Sequence, residues 1–214
     1  MKTILALTLL AGSLLAGCAA NPAADRPAAV VNTPASASPA ASPSTAPNAK
    51  SRTFEISAWN SSIGFVGSKV TGSHEGKFKT FRGMIEVVDE EPTRSRVEVT
   101  IDMGSVEADD PDLTDHLKSA DFFDAPKYPE ASFKSTQIAK SDKGYTVTGD
   151  LSLHGETKSI SFPAEITLTP EGPTAKAEFS IKRFDFKIMY PGKADNLIRD
   201  EVLIKLDLKG TPPE

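Results

Sequence analysis

"GYTVTGDLSLHGETKSISFPAEITL", residues 144–168, decides the fold. Tyr145, Val147, Leu151 and Leu153 occupy alternate positions, with Gly149 in phase between them, and Ile160, Phe162, Ala164, Ile166 and Leu168 resume the alternation after His154-Gly155-Glu156. Successive strand residues point to opposite faces, so each run is a half-buried strand. The short joint makes the pair an antiparallel hairpin.

The same grammar extends outward in both directions. Val97, Val99, Ile101 and Met103 share one face of "RVEVTIDM", as do Ala175, Ala177, Phe179 and Ile181, and finally Val202, Ile204, Leu206 and Leu208. "SSIGFVGSKV", which carries Phe65, and "KFKTFRGMIEVV" are less regular, and the second changes phase near Arg82-Gly83, where a bulge is expected. Ser141-Asp142-Lys143-Gly144 and Pro170-Glu171-Gly172-Pro173 read as further hairpin joints. The chain is therefore all-β, with about eight strands in a long antiparallel meander. One apolar face on such a meander is hidden by closing it into a barrel that has room for one small ligand, or by folding it as a two-sheet sandwich. Gly64, Gly67, Gly83 and Gly149 remove interior volume and favour a cavity over a side-chain plug.

The meander is interrupted by "DDPDLTDHLKSADFFDAPKYP", residues 109–129, which has the grammar of a short helix. Asp110 suits the N-cap, Pro111 the first helical position, Asp112 the first turn and Lys118 the end. Leu113, Leu117 and Ala120 form its apolar face. Phe122 and Phe123 follow side by side and need something apolar to cover. They are either a lid over a barrel mouth or the filling of a barrel end.

Composition excludes other classes. The formal net charge of −5, with both signs interspersed, offers no basic stripe for nucleic acid. The three His stand at 74, 116 and 154 without metal-ligand spacing, and no metal is expected. Asp109, Asp110, Asp112 and Asp115 lack the Gly of a calcium-binding loop and are accounted for by helix capping. No G-x-S-x-G elbow occurs, and neither an enzyme nor a cofactor is called for.

The chain opens with "MKTILALTLLAGSLLAGC", one Lys and then an apolar run too short to span a bilayer, which reads as an export signal over residues 1–17. Leu15-Ala16-Gly17-Cys18 resembles a bacterial lipobox, whose Cys is acylated, palmitate being one such acyl group. Cys18 is the only cysteine of the chain. Several acyl chains on one residue hold a protein stably on a membrane without spanning it. Ala19 points, by resemblance to sorting in enterobacteria, to the outer membrane, so a periplasm-facing lipoprotein of the cell envelope is expected. Residues 18–50, mostly Ala, Pro, Ser and Thr, read as a disordered tether. The folded domain is expected over 51–214.

Asp115-His116-Leu117-Lys118-Ser119, Asp121-Phe122-Phe123-Asp124, Tyr128-Pro129 and Phe133 resemble the signature of YceI-like proteins, as does Gly149-Asp150-Leu151-Ser152-Leu153-His154-Gly155. Trp59, Ser62-Ile63-Gly64-Phe65, Gly83 and Arg183 also fall where that pattern places them. The resemblance implies an extended lipocalin-like antiparallel barrel, capped at one end by the short helix. Its apolar interior would hold a polyisoprenoid, an isoprenoid quinone or a fatty-acid derivative.

The expected lining is Phe65, Val99, Ile101, Tyr145, Val147, Leu151, Leu153, Phe162, Ile166, Phe179, Ile181 and Ile204, with Phe122 and Phe123 at the mouth. Asp115, His116 and Arg183 are polar candidates for gripping a ligand's head; the alternative for them is a network pinning the cap to the barrel. Two functions stand side by side: a lipid-binding lipoprotein without chemistry of its own, and a structural or stress-response envelope protein with a filled barrel. The oligomeric state is open, a homodimer being one option.

Overall fold

The computed structural model of the protein describes residues 20–32 and 49–213. The alternating rows become strands. In chain order they are β1 (Val30–Asn32), β2 (Ser51–Ser57), β3 (Ser62–Lys69), β4 (Gly72–Phe78), β5 (Phe81–Val88), β6 (Glu91–Asp102) and β7 (Val106–Ala108). After helix α1 (Pro111–Lys118) come β8 (Glu130–Ser141), β9 (Gly144–Leu153), β10 (Glu156–Thr169) and β11 (Gly172–Lys182). The short pair β12 (Gly192–Lys193) and β13 (Asn196–Leu197) precedes β14 (Glu201–Lys209).

Several of these strands are halves of longer ones. β2 pairs with β5 and β3 with β4, so residues 51–69 and 72–88 form one long hairpin, bent at Ala58–Ser61 and at Lys79–Thr80. β5 pairs with β6 and β4 with β7, so residues 91–108 make a third long strand, bent at the 3-10 turn Met103–Ser105. With β8, β9, β10, β11 and β14 the three make eight long antiparallel strands. β14 pairs back onto β3, from Leu203 opposite Val66 to Asp207 opposite Ser62, and the ladder closes on itself. Glu55 and Thr211 add two backbone hydrogen bonds of 2.7 and 2.9 Å across the same seam. The fold is thus the lipocalin-like barrel, not the sandwich.

Two details differ from the expectation. The phase change lies not at Arg82-Gly83 but upstream, at Lys79–Thr80, because Phe81, Gly83, Ile85 and Val87 keep a single inward row. A register shift occurs between Glu86 and Val88 instead. Gly83 and Gly149 do not open the interior either. A Cβ on Gly83 would stand 2.4 Å from the Glu98 carbonyl oxygen, and one on Gly149 would stand 2.4 Å from the Phe133 ring. These glycines permit close approach between strands, whereas Gly67 faces open space.

Of the disordered tether expected over 18–50, the described residues 20–32 need correction. They form an arm: residues 20–26 cross the outside of β3, β14 and β11, and residues 27–32 enter the wall between β11 and β10, whose own ladder covers only Glu165–Thr169 opposite Gly172–Lys176. Ala23 is buried with Val66 and Leu203. Ala29 N–H donates to Ser180 O at 2.7 Å and Ser180 N–H to Pro27 O at 2.9 Å. Arg26 pairs with Glu178 at 2.8 Å, and β1 adds antiparallel to β10, Val31 opposite Ile160. Backbone hydrogen bonds and small side chains dock this segment, so a composition poor in large apolar residues gave no sign of it.

α1 keeps the expected grammar. Leu113 N–H donates to the Asp110 carboxylate at 2.9 Å and Pro111 takes the first turn. Leu117 is buried, but Ala120 lies beyond the helix and is exposed.

Candidate functional site

The inward rows of the eight strands enclose a cavity of about 250 Å³ whose wall presents no polar surface. Along β10 the wall runs from Ile160 to Leu168, and eight residues at ~3.3 Å each give a length of roughly 26 Å. That volume drawn out over that length is a slot suited to one extended chain. Two stacked rings, Phe162 and Phe179 at 4.1 Å, form part of its wall.

Of the expected lining, Phe65, Val99, Ile101, Val147, Leu151, Leu153, Phe162, Ile166, Phe179, Ile181 and Ile204 reach the slot, as do Phe122 and Phe123. Tyr145 does not. It lies on the correct face but packs against the core cluster around Phe162 and Phe179, short of the cavity. Ile85 and Val87 were missed, although they share the row of Phe81. Ile138 was missed because a bulge between Ser135 and Gln137 shifts it into the inward phase of Phe133.

At the α1 end the slot meets a second, more open cavity of about 500 Å³. Phe65, Gly67, Leu117, Phe122 and Ile198 line both. Lys69, His74, Glu75, Asp110, Asp112, His116 and Lys193 complete this vestibule, which therefore carries both signs of charge. Lys69 and Lys193 have no periodic signal in the sequence; the β3–β4 turn and the β12–β13 pair bring them together.

Phe122 sits between the two cavities and Phe123 faces the slot alone. Phe122 is buried and its ring lies 4.9 Å from that of His116, while Phe123 meets Phe65 at 6.1 Å edge-on and Phe78 at 5.9 Å. They form the inner cap of the slot.

The three polar candidates do not converge on one point. Asp115 is exposed on α1. His116 Nε2 lies 2.8 Å from Asp121 Oδ2, at the vestibule wall. Arg183 is buried and lines the slot, but its guanidinium is taken up by main-chain carbonyls: Nε donates to Arg199 O at 3.0 Å, Nη1 to Ile188 O at 2.7 Å and Nη2 to Ile198 O at 3.2 Å. Burial pulls its pKa below the ordinary value, against the opposing pull of Asp200. Three carbonyls compensate the buried charge, and Arg183 thereby clamps the chain between β11 and β14 over the end of the barrel.

Other motif residues hold the same end. His154 Nδ1 lies 3.1 Å from Phe186 O, so that nitrogen carries the proton. Gly155 has φ of +78°, and a Cβ there would stand 2.6 Å from the Tyr128 ring. At the vestibule rim, burial raises the Asp109 carboxyl. Hydrogen bonds from Glu75 N–H at 3.1 Å and His74 Nδ1 at 2.9 Å, with the charge of His74, outweigh it and leave the pKa below the ordinary carboxylate value. Among the described residues, no group of three His, Cys, Asp or Glu is placed to hold a metal ion.

Residues 54–210 match the model of the YceI-like domain. The chain is 36% identical over 119 residues to protein YceI of Escherichia coli O157:H7, covering 53% of this chain and 62% of that protein. It is likewise 36% identical over 120 residues to the UPF0312 protein plu2095 of Photorhabdus laumondii, covering 52% of this chain and 62% of that one. The match thus spans less than two thirds of these relatives. Among solved structures it is similar to BcnA of Burkholderia cenocepacia, with 27% identity, a TM-score of 0.65 and coverage of 73% of this chain and 99% of that one. A polyisoprenoid-binding domain from Saccharophagus degradans, 19% identical, shares the fold with a TM-score of 0.61 over 77% of this chain and 100% of that domain.

Proposed function

This chain belongs to the YceI-like domain family, and on that premise we propose that it binds, without chemistry of its own, one long-chain amphiphile such as a polyisoprenoid, an isoprenoid quinone or a fatty-acid derivative. The observation that carries this reading is the apolar slot running along the barrel, about one chain wide and opening at one end into a polar vestibule. Apolar burial supplies the affinity at ~25 cal/mol per Å² before ordering costs. The head of the amphiphile rests in the vestibule, near His116, Lys69 and Lys193. The Saccharophagus degradans domain, described as polyisoprenoid-binding, supports the capacity of this fold for such a ligand. A filled, ligand-free barrel accords less well with a continuous slot.

Cys18 lies outside the described residues; we propose that its lipobox directs acylation and holds the protein on the periplasmic side of the envelope, at the outer membrane. Native mass spectrometry of freshly purified protein tests the first part: a bound lipid is expected, and a ligand-free mass from several preparations overturns it. Cys18→Ser tests the second. It should yield a folded domain that stays in the soluble fraction, and membrane retention after a salt wash counts against acylation.

A further inference from the structure

The docked arm changes what the anchor does. With a disordered tether of some thirty residues the barrel would drift tens of Å from the lipid surface in any orientation. In the structure the arm already lies on the barrel wall from Asn21 onward. Ser68 Oγ, at the vestibule end of β3, is 3.5 Å from Asn21 Oδ1, and Ala23 is buried between Val66 and Leu203. Ala20 is two residues from Cys18, a reach of about 7 Å at most.

Three of the exposed apolar side chains stand at that end of the barrel. Val70 is 42% exposed in the β3–β4 turn, Leu197 50% in β13 and Met189 57% beside the Arg183 clamp. Val70 N–H donates to Leu197 O at 3.3 Å, so two of the three form one ridge. Ser68, Lys69, Lys193 and Ile198, their chain neighbours, line the vestibule.

We propose that the arm holds the vestibule end of the barrel against the phospholipid surface in which the acyl chains of Cys18 are embedded, with Val70, Met189 and Leu197 dipping into it. A long-chain lipid then passes between bilayer and slot past Phe122 without crossing water. This rests on the lipid-binding and acylation reading above. The vestibule rim carries Glu75, Asp110 and Asp112 as well as its lysines, so attachment comes from the anchor and the apolar ridge, not from net charge.

The protein carries a natural internal control. Its single Trp, Trp59, is 89% exposed at the β2–β3 bend, on the order of 25 Å along the strand from the β3–β4 turn. The test uses the full acylated chain in vesicles of phosphatidylethanolamine doped with phosphatidylcholine brominated on its acyl chains. Native Trp59 should escape quenching, whereas a Trp59→Phe, Leu197→Trp variant should be quenched strongly. Adding Ala23→Asp and Ala29→Pro, which put a charge into the small buried cluster and remove the N–H donor to Ser180, should return quenching at position 197 to the level of Trp59. Flotation should stay unchanged. Equal quenching at 59 and 197, or full quenching at 197 after the arm is released, overturns the proposal while leaving lipid binding intact. Failure to float with vesicles overturns acylation and this orientation together, and loss of bound lipid from every variant points to the binding reading instead.

Discussion

The rings of Phe122 and Tyr190 lie 5.3 Å apart, joining the segment after α1 to the loop that Arg183 clamps. Two separate excursions of the chain therefore meet over one end of the slot. Replacing Phe122 and Phe123 with Ala should lower unfolding stability by about 3 kcal/mol or more, since Phe122 is buried. It should also raise the ligand off-rate many-fold, because the slot is no longer sealed from the vestibule. Chemical denaturation and competitive release of a fluorescent polyene from one double variant measure both, and an unchanged off-rate rules out a cap.

Arg183→Lys keeps the charge and loses the fork. A single ammonium cannot reach the carbonyls of Ile188, Ile198 and Arg199 together, so on the order of 3 kcal/mol of stability is expected to disappear. Limited proteolysis should find its new cleavage sites between residues 184 and 200, and cleavage confined to hairpin turns at the other end would contradict the clamp.

Leu151 and Ile166 face the slot from β9 and β10. A Lys at either place would bring an unpaired charge into an apolar wall. Neither variant should retain bound lipid, and native mass spectrometry of a well-folded Leu151→Lys protein that still carries its ligand would mean the slot is not the binding site.

Asp109 makes the vestibule rim sensitive to acid. Its folded-state pKa is below the unfolded value of about 3.9, so its contacts stabilise the fold above that value and lose this effect as pH falls through the lower, folded one. Half of the side chain is in solvent, which limits the effect to a few tenths of a kcal/mol. Asp109→Asn should be slightly less stable than the native protein at neutral pH, and the difference should shrink as pH falls through the folded-state value, as urea denaturation from neutral to acid pH will show.

Period-two alternation made the inward faces legible because a barrel wall is wet on one side and dry on the other, and eleven barrel positions and both mouth phenylalanines follow from it. Tyr145 shows its reach: alternation gives the side of the sheet, not the height at which the cavity ends. The bends at Ala58–Ser61 and Lys79–Thr80 were hard to place because each keeps its flanking strands paired while adding residues to one of them. The arm was invisible for a different reason. Val31 is bonded through its backbone to β10, and a main-chain hydrogen bond leaves no mark on composition. The vestibule lysines come from turns far apart in sequence, which only the closed fold brings together.

Closure at the seam between β3 and β14 has a kinetic consequence. Residues 62–66 must find residues 203–207, so the first barrel strand to emerge during synthesis waits for the last. Until then β3 has no partner on one side and the dry wall of the slot lies open, a state prone to aggregation. Folding is thereby post-translational and slow, governed by long-range contacts. A chain cut before β14 would be expected to misassemble with its neighbours instead of forming a smaller barrel.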